Sequence, residues 1–263
     1  MRILLIGDIV GSPGREAIRK IVPALRKERP IDFVVANAEN VAGGSGLTSD
    51  TADELFNNKV DILTTGDHIW KKKEIYERLS KDNRILRPLN YPESSPGRGV
   101  AVAKLGSGEK VAVINLLGRV FMDPIDCPFK AVEKELEKIP EDIKIILVDI
   151  HAEATSEKIA LGRFLDGRVS AVFGTHTHVQ TSDERILPGG TAYITDLGMT
   201  GPQDSVIGRK CEAIIERFLT ALPQKFEVAE RDVQLQAVIV EIDIKTGKAV
   251  SIERVREKIE DYL

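Results

Sequence analysis

The chain has 263 residues, of which 42% are hydrophobic and 30% charged, and its formal net charge at pH 7 is -4. No apolar run approaches the roughly 20 residues that a membrane-spanning helix needs, and the negative charge argues against a broad basic surface for duplex DNA. Cys127 and Cys211 lie far apart with no paired spacing. This favours reduced thiols and a cytoplasmic location.

Eight short runs rich in Val, Ile and Leu predict buried β-strands, and the first of them follows almost directly after Met1. They alternate with segments of helical periodicity, which is typical of layered α/β domains. The predicted strands cover residues 3–6, 33–36, 62–65, 100–103, 111–116, 145–150, 169–173 and 191–195.

Four helices are predicted between these strands. In the first, Ser12 is a candidate N-cap, Pro13 suits the first turn, and Pro23 is expected to kink or end the helix. The second is expected to start around residues 48–51, and the third to cover roughly residues 129–138. The fourth is expected over residues 157–165, with Ile159, Leu161 and Phe164 facing inward.

Turn-rich links predict two antiparallel hairpins. One joins residues 100–103 to 111–116 through Gly106-Ser107-Gly108-Glu109, and the other joins residues 236–244 to 249–254. Hairpins argue against a purely parallel sheet and favour two mixed sheets packed face to face, with helices outside. The expected fold is therefore a four-layer αββα sandwich of the α/β class, forming one domain over residues 1–263.

Potential metal ligands follow the predicted strands. All four histidines stand where an apolar run stops, and carboxylates or an amide follow each of the first three strands. Because ligands bind at the carboxyl edge of open α/β sheets, we expect these side chains to converge. The candidates are Asp8, Glu39, Asn40, Asp67, His68, His151, His176 and His178.

This set is larger than one ion needs, and it suits two ions about 3.5–4 Å apart that share a carboxylate. An extended His176-Thr177-His178 segment is expected to point both imidazoles the same way, because alternate residues of a strand share a face. Imidazole and carboxylate ligands without thiolate suit iron, manganese or zinc. The spacing does not choose among the three.

Five short motifs carry these candidates: Gly7-Asp8, Asn37-Ala38-Glu39-Asn40, Gly66-Asp67-His68, Asp149-Ile150-His151 and Gly174-Thr175-His176-Thr177-His178. Their identity and order resemble the successive motifs of the calcineurin-like metallophosphoesterases. Within that superfamily, the sequence most resembles the YmdB-like bacterial phosphodiesterases. The resemblance covers nearly the whole chain, including residues 115–119 and 196–202.

The resemblance implies a binuclear centre of divalent or mixed-valence ions, with iron or manganese favoured and zinc as the alternative. One ion would be held by Asp8, Glu39, Asn40 and His178, and the other by Glu39, Asp67, His151 and His176, so that Glu39 is the bridge. His68 would stay off the metals as the general acid. The implied reaction is hydrolysis of small phosphodiesters, in particular 2′,3′-cyclic nucleotides, by a hydroxide that the metals activate.

The chain departs from the superfamily pattern at two positions. Val10 stands where many members have histidine, and Asn40 resembles the compensating ligand of the YmdB-like branch. Asp67 stands where the family usually has Asn. With two divalent ions and one hydroxide, Asp67 brings the formal charge of the site to roughly zero, against about plus one with Asn. A weaker attraction for phosphate and a higher pKa of bound water are expected.

Other interpretations stay open at this point. The phosphodiesterase interpretation includes RNA ends as well as small cyclic nucleotides as substrates. The same ions would serve a phosphomonoesterase or a nuclease, and a metal-dependent regulatory protein with little turnover is a further alternative. Arg119 is equally suited to clamp a phosphate or to form a structural ion pair. Residues 43–46 lack the Walker lysine, which favours a flexible loop over a phosphate cradle. The oligomeric state also stays open.

Overall fold

The structure is a computed structural model that describes residues 1–262. Within that range it contains 13 strands and six α-helices. The strands are β1 (Arg2–Ile6), β2 (Asp8–Ile9), β3 (Phe33–Asn37), β4 (Ile62–Thr64), β5 (Val100–Lys104), β6 (Lys110–Leu117), β7 (Ile145–His151), β8 (Ala171–Thr175), β9 (Arg185–Ile186), β10 (Ala192–Ile194), β11 (Met199–Pro202), β12 (Val233–Ile242) and β13 (Ala249–Lys258). The helices are α1 (Gly11–Glu28), α2 (Ser49–Asn57), α3 (Ile75–Lys81), α4 (Pro128–Leu136), α5 (Thr155–Phe164) and α6 (Cys211–Thr220).

The strands form two mixed sheets. The first has the order β2-β11-β12-β1-β3-β4, with β13 paired to β12, and the second has the order β5-β6-β7-β8-β10-β9. In the first sheet β1, β3 and β4 are parallel, and β12 runs antiparallel to β1. In the second, β6, β7, β8 and β10 are parallel. The pairs β5–β6 and β12–β13 are antiparallel, so both predicted hairpins are confirmed.

Three hydrophobic clusters separate four layers of secondary structure. Alternate residues of β1 point to opposite faces, so Leu4 and Ile6 pack towards α1 whereas Ile3 and Leu5 lie between the sheets. The outer face of the second sheet packs against α4 and α5 through a third cluster that contains Leu161. This arrangement confirms the predicted four-layer αββα sandwich.

The first helix differs from the prediction at both ends. It begins at Gly11 with Val10 as N-cap, so Ser12 is not the cap, and it continues through Pro23 to Glu28. Pro23 is exposed, so the carbonyl that it leaves without an intrahelical donor can bind water. Packing of the buried face, which includes Ile21 and Leu25, outweighs the unfavourable proline.

Several other elements were missed or misread. The strands β2, β9 and β11 have two to four residues, too few to show a period, and α3 and α6 were also not predicted. Phe164 was expected inside but is 37% exposed and packs edge to face on Phe129. Lys158 instead occupies the inner face of α5. Across residues 1–262, no helix combines the length and hydrophobicity needed to cross a membrane.

A matched pair of leucine variants tests the layer between the two sheets. Leu147 in β7 is fully buried in the inter-sheet cluster, whereas Leu222 is 60% exposed. We expect Leu147→Ala to lower the free energy of unfolding by about 2–5 kcal/mol, because it removes buried methyl groups and leaves a cavity. Leu222→Ala should change it by less than about 0.5 kcal/mol. Equal losses in urea unfolding would contradict this account of the core.

Candidate metal centre

All eight candidate residues lie at one edge of the sandwich, where the parallel strands end. Asp8 follows β1, Glu39 and Asn40 follow β3, and Asp67 and His68 follow β4. The second sheet contributes His151, the last residue of β7, and His176 directly after β8, with His178 two residues further on. Because both sheets present their carboxyl ends here, side chains distant in sequence become neighbours.

Four of these side chains form a metal-binding group. One ligand atom from each of Glu39, Asp67, His151 and His176 lies within 4.8 Å of the others. His151 Nε2 is 3.0 Å from His176 Nδ1, 3.3 Å from Glu39 Oε2 and 3.5 Å from Asp67 Oδ1. Two carboxylates and two imidazoles at these distances are a suitable donor set for one divalent cation.

The remaining candidates form a second group on the other side of Glu39. His178 Nε2 lies 3.3 Å from Asn40 Nδ2 and 3.8 Å from Asp8 Oδ1. Asn40 Nδ2 donates to Glu39 Oε1 at 2.9 Å. Rotation of the Asn40 amide by half a turn would direct its oxygen, a metal ligand, to the same place. Glu39 therefore faces one group with Oε1 and the other with Oε2.

Unpaired oxygens mark both groups as fit for cations. Asp8 Oδ1 and Asp67 Oδ1 are buried and have no hydrogen-bond partner among the described residues. A buried carboxylate oxygen without a donor is costly, and a cation beside it removes that cost. One such atom lies in each group, which favours a site on both sides of Glu39.

The pKa shifts within the cluster also indicate an affinity for positive charge. Burial alone would raise the pKa of Glu39, but His151 and His68 hold it well below its ordinary value. Burial works against the charged form of His151, yet Glu39 and Asp67 raise its pKa well above the usual range. For Asp67, the contact with His151 outweighs burial and lowers the pKa. The cluster thus favours the ionised forms of Glu39 and Asp67, whereas burial raises the pKa of Asp8.

A hydrogen-bond chain orients His151. The hydroxyl of Thr175 donates to Asp149 Oδ1 at 2.8 Å, so it accepts the Nδ1 proton of His151 at 2.9 Å. Thr64 and Asn37 also donate to Asp149 Oδ2. With its proton fixed on Nδ1, His151 directs the Nε2 lone pair into the cluster, as metal-bound histidines usually do.

Asp149 and Thr175 were not predicted as functional residues, although a signal for each was available. Asp149 precedes His151 by two residues in β7 and so shares its face. His151 and Thr175 are register partners on the parallel strands β7 and β8. Strand pairing would have identified both.

The segment from His176 to His178 differs from the prediction. It is not extended, because β8 ends at Thr175 and both histidines have positive φ angles, 99° at His176 and 63° at His178. The imidazoles converge through this bend rather than through strand alternation. Positive φ is unfavourable for residues with a Cβ and is typical of functional sites where the surroundings impose it.

A buried ion pair imposes this conformation. Lys158 Nζ donates to Asp196 Oδ2 at 2.7 Å, and both side chains are fully buried. The same oxygen accepts hydrogen bonds from the backbone N–H and the hydroxyl of Thr177, the residue between the two histidines. In the next residue, His178, Nδ1 donates to Ile207 O at 3.1 Å, which leaves Nε2 as the ligand atom.

His68 lies at the mouth of the cluster, with its side chain 33% exposed. Its Nδ1 lies 2.7 Å from Asn40 Oδ1 and 3.1 Å from Glu39 Oε1, and its Nε2 lies 3.9 Å from Asp67 Oδ2. The hydrogen bond to Glu39 raises its pKa. Trp70 holds the short 3-10 helix Asp67–Lys71 in place by packing against Tyr76 and Tyr91.

Arg119 and the glycine-rich loop of residues 43–46 lie outside the cluster. Arg119 is exposed, and its backbone N–H donates to Glu157. Arg209 binds the carbonyl oxygens of Gly43 and Gly44 and so ties down the loop of residues 43–46. This loop is therefore held by a side chain rather than free.

Comparison with known proteins identifies the family. The sequence matches the YmdB-like protein family over residues 4–255. The chain belongs to this family. A 2′,3′-cyclic-nucleotide 2′-phosphodiesterase of Bacillus subtilis is 49% identical over 255 residues, which cover 97% of this chain and 96% of the relative. The membership suggested by the five motifs is thereby confirmed.

Two crystal structures share the fold of this YmdB-like chain. A hypothetical protein from Thermus thermophilus superimposes with a TM-score of 0.93 at 42% identity, covering 98% of this chain and 99% of the other. A phosphatase from Mycoplasma pneumoniae gives a TM-score of 0.92 at 35% identity, with 98% and 93% covered. The architecture is therefore that of the metallophosphoesterases.

A pair of glycine variants tests the packing of the cluster. A Cβ on Gly66 would lie 2.2 Å from His151 Nε2 and 2.3 Å from Glu39 Oε2, whereas a Cβ on Gly106 would meet nothing within 4 Å. We expect Gly66→Ala to displace both ligands and to remove most of the bound metal. Gly106→Ala should keep the parent's content. Normal metal content in folded Gly66→Ala protein, measured by elemental analysis, would show that this close approach does not matter.

Proposed function

We propose that the protein is a metal-dependent phosphodiesterase that hydrolyses small phosphodiesters, with 2′,3′-cyclic nucleotides as the preferred substrates. The observation that carries the proposal is the pair of ligand groups that meet at Glu39, each with an unpaired buried carboxylate oxygen. The name of the Bacillus subtilis relative supports the substrate class. We further propose a single domain and a cytoplasmic location.

The proposed cofactor is a pair of ions, with iron or manganese favoured over zinc. Asp8, Asn40 and His178 would hold one ion and Asp67, His151 and His176 the other, with Glu39 between them. Ions held by these residues would supply neutralisation of the phosphate charge, orientation of the phosphorus atom and activation of water for in-line attack. The proposed ligands are carboxylates, an amide and imidazoles, with no thiolate, and this donor set suits iron, manganese or zinc.

The chain's own contribution to the reaction is the proton for the leaving oxygen. His68 is partly exposed at the mouth of the cluster, where a substrate would enter, and its raised pKa keeps the proton on the ring to higher pH. A ribose oxygen is a poor leaving group unless it is protonated as the bond to phosphorus breaks. A positioned acid contributes about 100- to 10,000-fold to such a step.

If His68 is the general acid, the hydrolytic activity lost when it is replaced should depend on the leaving group of the substrate. His68→Ala should retain its metal but hydrolyse 2′,3′-cyclic AMP about 100- to 10,000-fold more slowly. A p-nitrophenyl phosphodiester needs no proton on departure, so the same variant should lose much less activity towards it. Full activity of His68→Ala on the cyclic nucleotide would refute this role.

Asp67 allows a second prediction. Its carboxylate lies 3.5 Å from His151 and 3.8 Å from His176, where the family usually has the neutral amide of Asn. Asp67→Asn removes one negative charge, strengthens phosphate attraction and lowers the pKa of bound water. Turnover should be preserved or raised, with the alkaline limb of the pH–rate profile shifted to lower pH. Unchanged metal content with no hydrolysis would contradict this account.

The substrate class is tested by one panel under matched metal conditions. Protein purified without added metal is analysed for metal content, then assayed with 2′,3′-cyclic AMP, 3′,5′-cyclic AMP, a phosphomonoester and a short RNA. About two ions per chain and preference for the 2′,3′-cyclic ester are expected. Preference for the monoester or RNA would favour a phosphatase or nuclease. Negligible turnover of all four would favour a regulatory protein.

A further inference from the structure

A second cavity lies away from the metal centre, at the edge of the second sheet. Its volume is about 660 Å³, and it opens between β5, the segment of residues 87–99 and α4. None of its lining residues belongs to the metal cluster. The nearest connection is Tyr91, which lines the cavity and packs against Trp70 in the 3-10 helix that carries His68. The volume falls within the range of pockets that enclose small molecules, roughly 300–1,000 Å³.

Arg87 is the unusual residue of this cavity. It is only 5% exposed, yet no carboxylate of the described residues forms an ion pair with it. Its Nη1 donates to the carbonyl oxygens of Pro88 and Leu89, at 2.7 and 3.2 Å. Its Nε is buried and has no hydrogen-bond partner within residues 1–262. A buried guanidinium without a counter-ion is costly, and burial accordingly lowers its pKa.

Basic side chains outnumber acidic ones around Arg87: Arg98, Lys130, Lys134 and Lys138 line the cavity, together with Glu93, Asp126 and Glu135. The Arg87 backbone N–H donates to Arg98 O at 3.0 Å, so the two arginines lie on adjoining segments of the same wall. Lys130 and Lys134 line the opposite side, one turn apart on α4. In the described part of the chain, Arg98, Lys130 and Lys134 form no ion pair, whereas Lys138 is neutralised by Glu135 at 2.6 Å. The first turn of α4 also holds no acidic residue.

The wall between these charges is partly apolar. Leu89, Tyr91, Val100 and Ala131 line it. An inorganic ion would fill only part of such a space, whereas a ligand with a flat organic body and a charged end would use both surfaces. Guanidinium groups bind phosphate oxygens through paired hydrogen bonds, and ammonium groups add positive charge.

We propose that this cavity is a second ligand site, which binds a small phosphate-bearing anion of mononucleotide size. The phosphate lies against Arg87 and Arg98 with Lys130 and Lys134 at the rim, and the organic part lies against Leu89 and Tyr91. The ligand supplies the negative charge that Arg87 lacks within the described chain. Binding is separate from hydrolysis, because no lining residue belongs to the metal centre.

Cys127 supplies a local reporter of occupancy, because it lines the cavity and is a free, half-buried thiol. The experiment follows alkylation of Cys127 by iodoacetamide in metal-loaded Cys211→Ser protein. The additions are AMP, inorganic phosphate and adenosine, and AMP is checked for integrity after incubation. AMP is expected to slow alkylation at saturation, phosphate to do so only partly, and adenosine not to do so.

Charge variants then test whether AMP protects Cys127 by binding in this cavity. Lys130→Glu with Lys134→Glu should weaken protection by AMP at least about tenfold, because each lost charged contact is worth about that factor. The exposed pair Lys225→Glu with Lys245→Glu makes the same change in net charge elsewhere and should leave protection intact. Hydrolysis and metal content should match the parent in both variants, which verifies folding.

Arg87→Met provides a second check, because it should abolish protection by AMP while the purified variant keeps the parent's metal content. The proposal is overturned if neither AMP nor phosphate protects Cys127, if adenosine protects as well as AMP, or if protection survives the Lys130 and Lys134 substitutions. Protection by phosphate equal to that by AMP would support an anion site but overturn the assignment to a mononucleotide-sized ligand.

Discussion

The metal centre depends on one constraint, which is that ionised groups are buried at the meeting point of two sheets. Glu39 is nearly fully buried between two groups of ligands, and each of its oxygens faces one group. Removing a carboxylate from water is unfavourable unless positive charge replaces the lost hydration. Without cations, the imidazole of His151 must take a proton to satisfy Glu39 and Asp67. Cations bound at this edge would satisfy the same carboxylates and leave the imidazoles neutral.

A second set of residues keeps the ligands in position before any ion binds. Asp149 and Thr175 fix the ring of His151, and the Lys158–Asp196 pair fixes Thr177 in the bend that carries two histidines. These are buried polar groups within the sandwich, where an incomplete network would be costly. The hydrogen bonds from Lys158 and Thr177 to Asp196 explain how the chain maintains positive φ angles at His176 and His178. Rigidity of this kind reduces the ordering that metal binding would otherwise require.

The sequence predicted the sandwich and the convergence of the candidate side chains at one edge because both depend on local order. Alternation of apolar runs and helical segments determines the layers, and a polar residue just after a parallel strand must lie at its carboxyl edge. The features that the sequence could not predict depend on contacts between residues that are distant along the chain. The inward orientation of Lys158 requires Asp196, and the continuation of α1 through Pro23 requires the packing of its buried face. The bend at residues 176–178 likewise follows from a partner about 20 residues away.

The same physical argument applies to the metal centre and to the second cavity, with charges of opposite sign. At the metal centre, Asp8 and Asp67 have buried oxygens that lack donors among the described residues, and a cation would compensate them. At the second cavity, Arg87 is a buried guanidinium without a carboxylate partner among the described residues, and an anion would neutralise it. Packing alone explains neither group, because an apolar side chain would fill the same space without the cost of desolvating a charge. Trp70 and Tyr91 are in contact, so one aromatic pair connects the 3-10 helix that carries Asp67 and His68 to the wall of the proposed anion cavity.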